Sequence, residues 1–344
     1  MSETSRGAAP VLTPHAQIVQ MMMGSLVARL IYTAARLRLA DHIAAAPRTA
    51  EDLAAVTGTH APALHRLMRT LTGLGILTHD SEHHFALTPL GDALRTGAPG
   101  AALPTILTFG GPVFTRAFDE FEHSLATGET GFEKAFGLPI FNYFAGHPED
   151  AALFNDTMIG FHGDEPAAVV AAYDFSGFRK IVDIGGGTGN LLSMILSRTP
   201  AAQGVLFDLP HVIASATPLI KERGVDDRVA HERGDFFQAV PAGGDAYVLS
   251  HIIHDWHEDQ CLTILRNCRT AMAPGGRLLL VEMVLPDGDA FHPGKLLDMV
   301  MLTVPGGQER TAPEYARLLD KAGLRLVRIV PTASAVSVVE AAAA

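Results

Sequence analysis

Three histidines fall close together in Leu249-Ser-His-Ile-Ile-His-Asp-Trp-His-Glu258. Metal ligation is one chemistry such a cluster could perform. His251, His254 and His257 stand at i, i+3 and i+6, however, a spacing that does not keep all three on one helix face. Neither an HExxH nor a paired-cysteine pattern accompanies them, and no metal is expected. Acid–base chemistry is the better reading, since an imidazole with an unperturbed pKa of about 6.5 can remove a proton at neutral pH. Asp255 and Trp256, in the same block, could position the loop and stack near a ligand.

A second block, Ile181-Val-Asp-Ile-Gly-Gly-Gly-Thr-Gly-Asn190, predicts a buried strand running into a glycine turn, with the helical pattern Leu191–Leu196 following. Gly185, Gly187 and Gly189 let the backbone bend sharply and let a ligand press against it. Strand, glycine turn and helix is how α/β proteins present a nucleoside at the end of a parallel sheet. A dinucleotide turn favours G-x-G-x-x-G, but here the glycines run G-x-G-x-G and Asn190 stands where a third would be wanted. Asp183, before the turn, would repel a pyrophosphate and could hold an amino group. Asp208, ending Gly204–Pro210, could accept both ribose hydroxyls. Asp235, in Arg233-Gly-Asp-Phe-Phe237, could accept from an adenine amino group, with Phe236 beside the ring. Capping turns is the ordinary use of such acids, but three at successive strand ends suit a cationic, phosphate-free cofactor.

These motifs resemble the S-adenosylmethionine-binding part of class I methyltransferases. More narrowly, the chain resembles the small-molecule O-methyltransferases that include plant phenylpropanoid and bacterial polyketide and phenazine tailoring enzymes. The resemblance implies S-adenosylmethionine as cofactor, contacted by Gly185, Asp208, Asp235 and Phe236. Plant members commonly carry a lysine where this chain has Ser250, on the adenine side. By match to the family's His-Asp-Trp motif, His254 would be the general base, oriented by Glu282 of Val281-Glu-Met283 and Glu309 of Gly306-Gly-Gln-Glu-Arg310. His251 and His257 are read as bystanders. Phe154, Met158, Asp298 and Met301 would line the pocket of an aromatic substrate. A family member repurposed for hydroxylation or decarboxylation is the alternative enzyme.

The elements that must position these groups fall into three stretches. Residues 1–100 are expected to form a helical, winged-helix domain that supports a homodimer. A long apolar helix carries Ile18, Met22, Leu26, Leu30 and Ile31. A capping box at Thr49 and Asp52 opens the next, Pro62–Leu71 follows, and a hairpin turns around Asp80-Ser-Glu82. This pattern raises a non-catalytic DNA-binding regulator, but Glu51, Asp52, Asp80, Glu82 and Asp92 surround Arg66 and Arg69, and a DNA reader needs a basic face. Residues 101–175 read as a helical, Phe-rich linker, with Phe114, Phe118 and Phe121 on one helix face. Residues 176–344 alternate strand and helix, which predicts an α/β, doubly wound, Rossmann-like sheet with an antiparallel edge hairpin. Ala341–Ala344 reads as a frayed end.

Composition agrees with a well-cored enzyme: 344 residues, 48% hydrophobic and 18% charged. The net charge of −11 argues against a nucleic-acid surface. Met1–Pro10 carries no leader pattern, and the apolar stretch Ile18–Leu30, interrupted by Gln20 and Arg29, reads as too short for a bilayer. A cytoplasmic protein without membrane partners is expected. Cys261 and Cys268 lie two turns apart on one helix, about 10 Å, too far for a disulfide.

Overall fold

The computed structural model describes residues 12–100 and 102–344, so Met1–Pro10 lies outside the described residues. It divides into two compact units. One takes the chain up to Thr115 together with Pro148–Phe161; the other comprises Arg116–His147 and His162–Ala344.

In the first unit Thr13 caps a 23-residue helix, Pro14–Arg36, its hydroxyl accepting from Ala16 N–H. This helix outruns the Ile18–Leu30 stretch at both ends. By length and composition alone it is long and apolar enough to cross a membrane, which corrects the sequence reading. Ile18, Met21, Met22 and Leu26 are exposed on it. The capping box at Thr49 and Asp52 forms as expected, opening Ala50–Thr57, which ends at Gly58 in left-handed geometry (φ 66°). Ala61–Gly73 follows. The strands β1 (Leu77–His79) and β2 (Phe85–Leu87) then pair antiparallel. Leu39, Leu53, Leu64, Met68, Leu71 and Phe85 pack between these elements. Pro148–Phe161 packs on Ala102–Phe109, and the Thr108 and Thr157 hydroxyls hydrogen-bond at 2.7 Å in that seam.

Phe114, Phe118 and Phe121 do not share one helix. Pro112–Asp119 ends before Glu120, whose backbone leaves helical geometry (φ −100°, ψ 17°), and Phe121 opens a new helix.

The second unit is built on a mixed seven-stranded sheet. Five parallel strands come first: β3 (Lys180–Ile184), β4 (Gln203–Asp208), β5 (Val229–Arg233), β6 (Ala246–Ser250) and β7 (Arg277–Glu282). Two-residue strands β8 (Val284–Leu285) and β9 (Arg310–Thr311) pair separately. The hairpin β10 (Leu324–Pro331) and β11 (Ser337–Ala343) completes the order β10-β11-β7-β6-β3-β4-β5. β11 runs antiparallel to both neighbours. Alternate strand residues feed two separate apolar clusters, as a period of two requires: Leu279 and Val281 of β7 enter one, Leu278 and Leu280 the other. Helices cover both.

The terminal alanines are a second correction. Ala341 is fully buried, paired with Leu278 on one side and Leu326 on the other. It belongs to an interior strand, where a small side chain satisfies the packing. Cys261 and Cys268, both buried and unpaired, lie on the helix Glu258–Ala271.

Candidate active site

The end of β6 leads through Ser250 into a short 3-10 turn, Ile253–Asp255, that carries His254. His254 is 5% exposed. Its Nδ1 lies 2.7 Å from Glu309 Oε1 and 3.5 Å from Glu282 Oε2, while Nε2 lies 3.6 Å from Asp255 Oδ1. The three predicted catalytic residues are thus brought together from three segments. Glu282, at the end of β7, is completely buried and accepts from the backbone N–H groups of Ile252 and Ile253. It therefore holds the turn as well as facing the ring.

The Gly306–Arg310 loop lies directly over the same turn. Gln308 N–H donates to the His254 carbonyl at 2.9 Å, and any Cβ at Gly307 would collide with that carbonyl. Arg310, itself buried, donates to the carbonyls of Ile253 and Trp256. Asp298, expected to face substrate, accepts from Glu309 N–H at 2.8 Å through its Oδ1. Met301 packs in the sheet's apolar cluster.

Charge is concentrated here. Burial alone would depress His254, but the Glu282, Asp255 and Glu309 carboxylates outweigh it and raise its pKa to about 10. Burial pushes Glu282 up to about 7 and Asp255 up to about 6. The groups share protons, because so many buried carboxylates cannot all ionise together.

The glycine turn is the other half. Gly185, Gly187 and Gly189 all adopt positive φ (65°, 57° and 74°). At Gly185 a Cβ would meet Ile252 at 2.5 Å and Phe236 at 3.7 Å, so Phe236 flanks the turn. Asp208 Oδ2 accepts from Gly187 N–H at 2.9 Å. Asp183 is 2% exposed and, among the described residues, neither oxygen has a hydrogen-bond partner. Burial and then the neighbouring Asp208 charge raise its pKa to about 7. Asp235 accepts from Phe237 N–H in a tight turn. Trp256 stacks on Phe141 at 5.4 Å, and its buried indole N–H has no partner among the described residues.

Phe154 and Met158 lie on Pro148–Phe161, in the first unit, where Phe154 stacks on Phe114 at 6.4 Å. His251, read from the sequence as a bystander, lies near His254. It is buried, its Nε2 bonds Glu165 Oε2 at 2.8 Å, and its ring centroid is 5.1 Å from that of His254. Glu165 and His162 were missed by the sequence reading. Their only local mark is an i, i+3 pair at the start of the helix Glu165–Ala172.

An O-methyltransferase domain model matches residues 118–325, and an O-methyltransferase dimerisation domain model matches residues 19–97. The chain belongs to the O-methyltransferase family. It is 45% identical to the phenazine O-methyltransferase PhzM of Lysobacter antibioticus, covering 99% of both chains. The crystal structure of LaPhzM superposes with a TM-score of 0.92 at 45% identity, covering 97% of this chain and 100% of that one. NcsB1 from neocarzinostatin biosynthesis, solved with S-adenosylmethionine and 2-hydroxy-5-methyl naphthoic acid, superposes with a TM-score of 0.81 at 33% identity, covering 92% and 96%. Other relatives, 34% identical, are N-methyltransferases.

The protein is therefore an S-adenosylmethionine-dependent methyltransferase with the class I fold. The residues present fit that cofactor. A glycine cradle of positive φ is bordered by two carboxylates, one buried without a partner, which suits a ligand bearing positive charge and no phosphate.

Proposed function

We propose that this O-methyltransferase methylates a phenolic hydroxyl of an aromatic small molecule, with His254 as general base. The bond from His254 Nδ1 to Glu309 is the observation that carries this reading. A carboxylate only accepts, so Nδ1 bears the hydrogen and Nε2 is the basic nitrogen. A free phenol, with a pKa of about 10, is a weak nucleophile at neutral pH, and the carboxylates around His254 raise its basicity to the same range, about 10. Such matching eases proton removal as the oxygen attacks. The bound cofactor supplies an activated sulfonium methyl, whose positive charge opposes protonation of the imidazole and so favours the basic form.

Asp183, the Gly185–Gly189 backbone, Asp208, Asp235, Phe236, Ser250 and Trp256 are proposed to hold the cofactor. Asp298 is proposed to act through Glu309, which its carboxylate anchors. Purified protein given S-adenosylmethionine and a panel of phenols and arylamines tests the reading. A phenol gaining the mass of one methylene supports it. Methylation confined to amines would overturn the choice of acceptor, and an added oxygen would favour the repurposed alternative.

The exposed apolar face of Pro14–Arg36 is proposed to pair with a second copy, in line with the dimerisation model over residues 19–97. Light scattering would then give twice the chain mass, and Met22→Lys would halve it. The free thiols Cys261 and Cys268 fit a reducing compartment, and a cytoplasmic location is proposed.

A further inference from the structure

Each hydroxyl methylated releases one proton, and on the reading above that proton arrives on a histidine only 5% exposed. A run of titratable groups leads away from it. His254 Nδ1 lies 3.5 Å from Glu282 Oε2. A ring nitrogen of His251 comes within 4.8 Å of both a His254 nitrogen and a Glu282 oxygen, a separation that a single water molecule can span. His251 Nε2 then bonds Glu165 Oε2 at 2.8 Å, and the same oxygen bonds His162 Nδ1 at 3.1 Å. The Glu165 and His162 side chains are 11% and 21% exposed.

We propose that Glu282, His251 and Glu165 form a proton-exit relay that carries the substrate's proton from His254 to solvent. This rests on His254 being the base. The tautomer of His251 sets the direction. Glu165 can only accept, so His251 donates from Nε2, and its Nδ1 is left a bare acceptor. That nitrogen is buried and has no partner among the described residues. The backbone of His251 is held in left-handed geometry (φ 54°), a conformation a non-glycine residue adopts at a cost.

One proton enters and one leaves in each turnover, and rotation of the two imidazole rings after product departs restores their starting tautomers. His254 takes the phenolic proton on Nε2, and its Nδ1 proton, held at rest by Glu309, shifts to Glu282 Oε2 beside it. Glu282 passes one through the bridging water to His251 Nδ1, as His251 gives its Nε2 proton to Glu165. Glu165 then delivers it to bulk water, with His162 orienting the carboxylate. No full charge settles on His251, whose basicity burial depresses, with the neighbouring His162 adding to the effect.

The test is a single turnover in lightly buffered solution, with methyl transfer followed by quenched product and proton appearance by a pH indicator. In the native enzyme the two should coincide. Glu165→Gln cannot carry a proton, and His251→Asn removes the exchanging ring while tolerating the left-handed backbone. Each should leave transfer within about twofold and delay proton appearance about tenfold or more. Proton release that keeps pace with transfer in both variants overturns the relay. So does slowed transfer with release following it at once, which marks a structural role. Full transfer in His254→Ala would instead remove the base assignment.

Discussion

His254 Nδ1 and Glu309 Oε1 stand 2.7 Å apart, although 55 residues separate them in the chain. The contact is held from both sides. Asp298 accepts from the Glu309 N–H, the Gln308 N–H donates to the His254 carbonyl, and Arg310 ties down the carbonyls of Ile253 and Trp256. His254 and Glu309 are parts of two loops clasped by hydrogen bonds to backbone groups, so the ring's orientation is fixed before substrate arrives.

Replacing His254 by Ala should lower kcat/KM about 10²- to 10⁴-fold, the usual contribution of a general base. Calorimetric affinity for S-adenosylhomocysteine should stay near the native value, because the glycine turn is untouched. More acidic phenols should suffer less, since they need the base less. A uniform loss across phenols of different pKa would contradict the assignment.

Glu309→Gln should move the pH profile. The Glu309 carboxylate is one of three that raise His254, so removing its charge lowers the imidazole's pKa. The neutral base then appears at lower pH, and the rise of kcat/KM with pH should shift toward acid. The plateau should also fall, on the order of tenfold, as the base weakens. A shift toward alkali would show that the loop charge acts in another way.

Gly307→Ala places a methyl into the backbone of His254 and Asp255. Overpacking against backbone costs about 1–3 kcal/mol, so a denaturant midpoint should drop and activity should fall with it. An unchanged midpoint would mean that the loop yields more readily than the bonds clasping it suggest.

Asp183→Asn separates cofactor binding from stability. Burial raises the native carboxyl to about 7, above its unfolded value. Between those two pKa values the folded state binds more protons, so its stability falls as pH rises through that window. Without cofactor, the Tm difference between variant and native protein should therefore move in the variant's favour from pH 4 to pH 8. Affinity for S-adenosylhomocysteine should weaken about tenfold or more, roughly 1.4 kcal/mol. An unchanged affinity would leave Asp183 with a structural role only.

What was legible in the sequence was what is local. The glycine turn, the acids at strand ends, the capping box at Thr49 and the alternation that builds the sheet each depend on residues near in the chain. Glu165 was invisible because its partner His251 lies 86 residues away, and only the packing of a helix start against the end of β6 joins them. The Ala341–Ala344 run looked like a tail because composition says nothing of strand order; insertion between β7 and β10 is what buries Ala341. The break at Glu120 was hidden for another reason: three phenylalanines at helical spacing carry the same pattern whether or not the backbone between them stays helical.

β11 follows every other strand in sequence yet lies between two of them, hydrogen-bonded to β7 along Leu278–Glu282. During synthesis, then, the strand that ends in Glu282 keeps one edge open until residues 337–343 have left the ribosome. A nascent chain lacking them exposes an apolar edge that invites pairing with other chains. The acid beside His254 gains its full sheet neighbourhood only when this last strand slots in.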